Sequence, residues 1–150
     1  MKKYFLIPIV FALILTGCKK ETPFKTVPIV KETGSQATKK ECYSYEKNGD
    51  TISLQIETTG KEVIGAMVYS LKEKDRNAGL LKGKLENNIL IADYTFHSEG
   101  TESTRQVAFK LENGQFIEGY GEVTLDGTHF KDISKIKYSS TMPLGKTECP

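Results

Sequence analysis

Histidine and cysteine are scarce in this chain, two and three among 150 residues, and no Cys-x-x-Cys pair occurs. That is too few donors at metal-ligand spacing to build a zinc centre. Neither His97 nor His129 has a Ser, Asp or Cys partner at a spacing that would form a nucleophile triad. No cofactor-binding pattern is present. The apolar run 5–15 falls well short of the roughly 20 residues a membrane-spanning helix needs. A helical stripe is missing as well, since no window repeats its apolar residues at 3.6 spacing. Excess charge is also absent. Without Lys2 and Lys3, the 21 basic residues fall to 19, against 19 acidic ones, and a neutral domain has no electrostatic footprint for nucleic acid.

The N-terminal residues are Met1-Lys2-Lys3, then the short apolar run, then Leu15-Thr16-Gly17-Cys18. A positive start, a core of this length and small residues before a cysteine form a lipoprotein signal peptide with its lipobox. The expectation is that residues 1–17 are removed and that Cys18 is lipidated. Acyl chains add about 0.8 kcal/mol per buried CH₂, so several chains on one cysteine hold a protein to a membrane. Lys19 follows the lipid-bearing residue, and by resemblance to diderm lipoproteins a lysine there implies transfer to the outer membrane. Residues 18–40 are polar, with Pro23 and Pro28, and read as a flexible tether. The short stretch 24–30 is a candidate docking segment within it. Residues 41–150 form one domain. Its two cysteines, Cys42 and Cys149, bracket that domain in an oxidising compartment and predict one disulfide. Closing a loop of about 108 residues is worth about 4.7 kcal/mol in the chain-entropy model.

From Glu41 onward, period-two alternation runs between turn signals at Asn48-Gly49, Thr59-Gly60, Asn87-Asn88, 98–101, Asn113-Gly114 and Asp126-Gly127. Such turns fix hairpin registers. They place Tyr43 opposite Leu54, Ile56 opposite Val63, Leu81 opposite Tyr94, Tyr94 opposite Arg105, Leu111 opposite Phe116 and Arg105 opposite Glu122. With these registers nearly every apolar residue falls on one continuous face. Only the loop 72–78 and the segment 128–138 have no definite register. The fold class is therefore all-β, a single antiparallel meander of seven or eight strands closed as a small up-and-down barrel, with a two-sheet sandwich as the alternative. Gly65, Gly83, Gly119 and Gly121 are placed for bends or bulges. Cys42 lies on the face opposite Tyr43 and Tyr45, so the disulfide is expected to clasp the tail 139–150 to the outside of the first strand.

The predicted interior holds the polar residues Ser103, Arg105, Glu118 and Glu122, and the candidate ligand-binding set is Tyr94, Arg105, Glu118 and Glu122. A Tyr94–Arg105–Glu122 row should cross three strands, with Glu118 two inward positions away. An arginine in a low-dielectric interior needs a carboxylate partner. The residues form either an ion pair plugging the barrel end or an anchor for the acidic group of a ligand in the lumen. Two carboxylates on one strand do not make a glycosidase, and no catalytic residue is assigned. On the outer face, Ile64, Ala66, Val68, Ile89 and Ile91 form an apolar patch. It is to be covered by the tail around Met142 and Leu144, by the 24–30 stretch, or by a partner. The run 72–77 (KEKDRN) alternates in sign and reads as a solvated loop with a protein-contact role as the sharper option.

The stretch ADYTFHSEGTESTRQVAF (92–109), followed by Glu118-Gly119-Tyr120-Gly121-Glu122-Val123, resembles a group of small Gram-negative bacterial lipoproteins. These share a Cys-x-Tyr opening, here at Cys42, and a Glu-Lys-Asp-x-Asn loop, here at 73–77. The resemblance spans about residues 41–123 and implies a lipid-anchored, β-rich envelope protein, with no functional residue to carry over. Outer-membrane lysozyme-inhibitor lipoproteins, small disulfide-clasped barrels, are similar at the level of fold alone; their inhibitory loop has no match here. The reading that results is a non-catalytic cell-envelope lipoprotein. Its partners are the membrane, through Cys18, and a small or amphipathic ligand in the lumen. The rival reading is a protein-interaction lipoprotein, an inhibitor or accessory subunit, that uses the outer patch and the 72–77 loop.

Overall fold

The computed structural model describes residues 37–150. The segment 1–17, Cys18 and the 24–30 stretch lie outside the described residues. Seven strands follow one another as a meander: β1 (Lys39–Lys47), β2 (Asp50–Thr59), β3 (Glu62–Ser70), β4 (Asn77–Glu86), β5 (Ile89–Ser98), β6 (Thr101–Glu112) and β7 (Gln115–Tyr120). A single 3₁₀ turn, Ile133–Lys135, precedes two short strands, β8 (Lys137–Tyr138) and β9 (Leu144–Thr147). β9 lies between β7 and β1 and closes the sheet into an eight-stranded antiparallel barrel, while β8 pairs only with the outer end of β7.

Turn chemistry sets the ladder. Asn48-Gly49, Asn87-Asn88, Glu99-Gly100 and Asn113-Gly114 all have positive φ at both loop positions, as hairpins require for their twist to match that of the strands. The pairings Tyr43–Leu54, Leu81–Tyr94, Tyr94–Arg105 and Leu111–Phe116 follow. One hairpin is displaced. Gly60-Lys61, and not Thr59-Gly60, occupies the turn, so Ile56 pairs with Gly65 and Ile52 with Tyr69. The slip is two residues, which preserves which side chains face in. Gly83 is an inward position where no Cβ fits, since one would run into the Ile91 carbonyl oxygen of β5. β4 runs unbroken through this point, so the glycine serves a close backbone approach within a regular ladder.

The tail is on the outside of β1 in its last residues, where Glu148 and Pro150 share a groove with Cys42, Ala66 and Val68, but the stretch before them does not lie there. It supplies the closing strand: Cys42 pairs with Thr147 and Ser44 with Gly145, edge to edge, and Leu144 enters the core. The Cys42–Cys149 disulfide forms just past that pairing, with Cα atoms 5.2 Å apart. Because Leu144 is buried in the core and Met142 packs against it, neither covers the outer patch. Ile64 is 56% exposed there, and Leu80, which alternation did not single out, is 70% exposed.

The interior is filled. Ile56, Met67, Leu90, Tyr94, Phe109 and Phe116 are each at 0% exposure, so no void large enough for water borders them. The lumen leaves no room for a ligand. The two rims differ. One carries the chain entry at Lys39 and the turns at 60–61, 87–88 and 113–114. The other carries the turns at 48–49 and 99–100, the loop 71–76 and the excursion 121–136.

Candidate functional site

β6 is twelve residues long and β7 only six, and their pairing ends at Ala108–Gly119. Above that level the two strands part. The chain turns away at Gly121 and returns as a hairpin, 123–130, bridged at Val123 and Phe130. The hairpin reattaches to β6 at a single residue: the Gln106 N–H donates to the Thr128 carbonyl at 2.6 Å, and the Phe130 N–H donates to Gln106 Oε1 at 3.2 Å. The parted seam is a cavity of about 390 Å³ at the second rim, with walls that include Leu71, Val123, Phe130 and Met142 and polar groups from Arg105 and Glu118.

The parting corrects the expected row. Glu122 no longer faces Arg105. It is exposed and ion-pairs with Lys131 at 3.4 Å. Tyr94 is where the ladder predicts, fully buried, its hydroxyl donating to Asn77 Oδ1 at 2.9 Å with the Met67 carbonyl at 3.1 Å. Burial pushes that hydroxyl up to about 12. Tyr94 is therefore a platform, and its polar atom is already engaged.

Arg105 sits on that platform. Its guanidinium carbon is 5.2 Å from the centroid of Tyr69, 5.3 Å from Phe96 and 5.8 Å from Tyr94. Tyr94 and Phe96 stack at 4.9 Å, and Tyr69 meets Tyr94 edge-on at 6.0 Å. Cation–π attraction is worth about 0.5–2 kcal/mol per site depending on desolvation, and it leaves the planar fork of N–H donors unspent. Among the described residues, no carboxylate lies within 4.0 Å of Arg105 and no hydrogen bond uses its donors.

Glu118, the nearest candidate partner, is held elsewhere. The Tyr69 hydroxyl donates to its Oε1 at 2.7 Å and the Tyr120 hydroxyl to its Oε2 at 3.2 Å. Burial raises the pKa of its carboxyl above the ordinary value, against the pull of the Tyr69 hydrogen bond and the Arg105 charge. Tyr69 is displaced upward in turn, by its own burial and by the Glu118 charge. Arg105 and Glu118 thus share a cavity without satisfying each other, an arrangement that can receive an anionic or polar group on the arginine.

Of the four sequence candidates, the structure brings three together and sends Glu122 to solvent. It adds Tyr69, Phe96 and Tyr120. Tyr69 is hidden because the β3–β4 pairing runs through the loop 72–78, which has no definite register in the sequence, whereas alternation places Phe96 and Tyr120 on the same face as Arg105 and Val107. The histidines stay peripheral, both exposed: His97 is 3.3 Å from Glu102 and His129 is 3.7 Å from Asp93. Comparison with protein-family models, curated proteins and solved structures finds no match.

Proposed function

We propose that this chain is a non-catalytic cell-envelope lipoprotein, exported by residues 1–17 and held by lipid on Cys18 to the outer membrane, whose barrel rim binds a ligand bearing an acidic group. The observation that carries the reading is Arg105: a guanidinium framed by three aromatic rings, with its donors unspent among the described residues, beside a cavity of about 390 Å³. A fork of this geometry matches a carboxylate bidentately. The walls from Leu71, Val123, Phe130 and Met142 suit an apolar body behind that group, which defines a small amphipathic anion. The ligand occupies the rim, since the lumen is filled.

A thermal-shift screen of residues 19–150 with carboxylates of graded apolar length tests the site. A ligand at 100 times its Kd should stabilise by about 2.7 kcal/mol, or about 10 °C, and Arg105→Ala should remove the shift. A shift that survives Arg105→Ala places the site elsewhere. Labelled-palmitate incorporation that is lost in Cys18→Ala tests the anchor. The second reading, a protein-contact lipoprotein, draws support from the exposed Ile64 and Leu80 on the outer face. It predicts that charged substitutions there abolish partner binding and leave ligand binding at the rim intact.

A further inference from the structure

The parting of β6 and β7 has a second product, a bare strand edge. Along β6, residues alternate in the direction of their backbone groups. The Gln106 N–H points away from β5, to Thr128, whereas the Leu111 N–H points to the β5 side, to Asn88. Even-numbered residues therefore present N–H and C=O on the seam side. Ala108, Lys110 and Glu112 spend theirs on β7, and Gln106 spends its N–H on the hairpin. Glu102 and Thr104 are next in line, and among the described residues nothing pairs with their seam-side groups. Both are exposed. Unpaired edges of this kind are templates for an added strand, and main-chain pairing with an extended peptide is an established recognition mode.

We propose that the ligand of the rim is an extended peptide that adds to β6 at Glu102 and Thr104 and places a carboxylate on Arg105. This inference rests on the rim-binding reading and names its ligand class. The edge and the cation are one residue apart, and Arg105 faces inward between Ser103 and Val107. A strand laid about 4.8 Å from β6 carries its inward side chains over the cavity. Run parallel to β6, its C-terminal carboxylate arrives at the level of Arg105. Run antiparallel, an Asp or Glu side chain does so instead.

The protein contains no Trp, so a short acetylated Val/Thr peptide with one Trp reports its own binding by indole fluorescence. Three forms are compared on the full domain: free C-terminal carboxylate, C-terminal amide, and C-terminal amide with an internal Asp. The expected result is binding of the free acid that slows hydrogen exchange of the Glu102 and Thr104 amides about tenfold or more, with amidation weakening binding about tenfold. Rescue by the internal Asp assigns the carboxylate to a side chain; lack of rescue assigns it to the terminus. Thr104→Pro removes one edge donor and keeps the pairing with β5, as edge positions allow, and should abolish binding. N-methylation of the peptide backbone gives the same test on unaltered protein.

Unchanged exchange at Glu102 and Thr104 under saturating free-acid peptide overturns the proposal, as does indifference to N-methylation. Octanoate separates the two readings. If octanoate binds in an Arg105-dependent way and the peptide leaves the edge unprotected, the peptide inference falls and rim binding stands. If neither binds, both fall.

Discussion

Reducing the Cys42–Cys149 disulfide should destabilise the domain by about 4–5 kcal/mol. The cysteines are 107 residues apart in sequence, and the chain-entropy model assigns a cross-link closing a loop of that length about 4.7 kcal/mol at 25 °C. The native side of the balance loses little, because β9 keeps its ladder to β1 and β7 and Leu144 keeps its place in the core. Small domains have only about 5–15 kcal/mol in all, so the reduced form should remain folded with a thin margin. Urea unfolding followed by tyrosine fluorescence, with and without reductant, measures the difference. The midpoint should fall, and the slope m should rise because an uncrosslinked unfolded chain exposes more surface. A loss below about 1 kcal/mol with unchanged m would refute the reasoning. It would mean that the unfolded chain already keeps its ends together, or that reduction relieves strain in the native state.

Phe116 meets the Tyr43 ring at 4.7 Å and the Phe109 ring at 6.1 Å and is fully buried, so Phe116→Ala should cost about 3–5 kcal/mol, read as a lower urea midpoint. Glu118 has its pKa raised by burial, so its contribution favours folding below the ordinary carboxylate value and is lost as pH rises through the folded value. Glu118→Gln should therefore gain stability relative to the parent at pH 7 compared with pH 4, and paired melts at the two values check the sign. Glu122 sits in an exposed pair with Lys131, so Glu122→Ala should change stability by no more than about 0.5 kcal/mol and leave ligand binding at the rim intact. Loss of binding in that variant would restore the Tyr94–Arg105–Glu122 row.

The ladder was legible wherever Asn-Gly or Asn-Asn fixes a two-residue loop, because positive φ at both positions admits one register. It was ambiguous at Thr59-Gly60-Lys61, where a single glycine serves a turn begun at either neighbour, and the even slip left the face undisturbed; Tyr69 was hidden by the loop 72–78, which leaves the β3–β4 register open. The closing strand was not legible. Leu144–Thr147 is four residues long with Pro143 before it and Gly145 inside it, and only pairing with β1 and β7 makes it a strand. Glu122 leaves the Arg105 row because the β6–β7 ladder ends at Ala108–Gly119, so alternation beyond Gly119 and Gly121 no longer reports which side faces in. A Cβ at Gly119 would strike Ile136 and Tyr138, which marks where the excursion folds back on β7. The aromatic frame of Arg105 depends on three strands meeting at one height, and no single hairpin states that.

Closure by β9 has a kinetic consequence. Cys42 and Thr147 are paired across nearly the whole domain, so the contact that completes the barrel is among its most distant in sequence. Non-local pairings of this kind are slow to form. As the chain is made, β1 comes first, and its seam-side edge stays open until Leu144–Thr147 arrives. In that interval the nascent domain is an incomplete meander with two unmatched edges, the species most prone to pair with a neighbour's strand. The rate of synthesis and local crowding, more than the equilibrium stability of the finished barrel, should then decide how much of this protein reaches the closed fold.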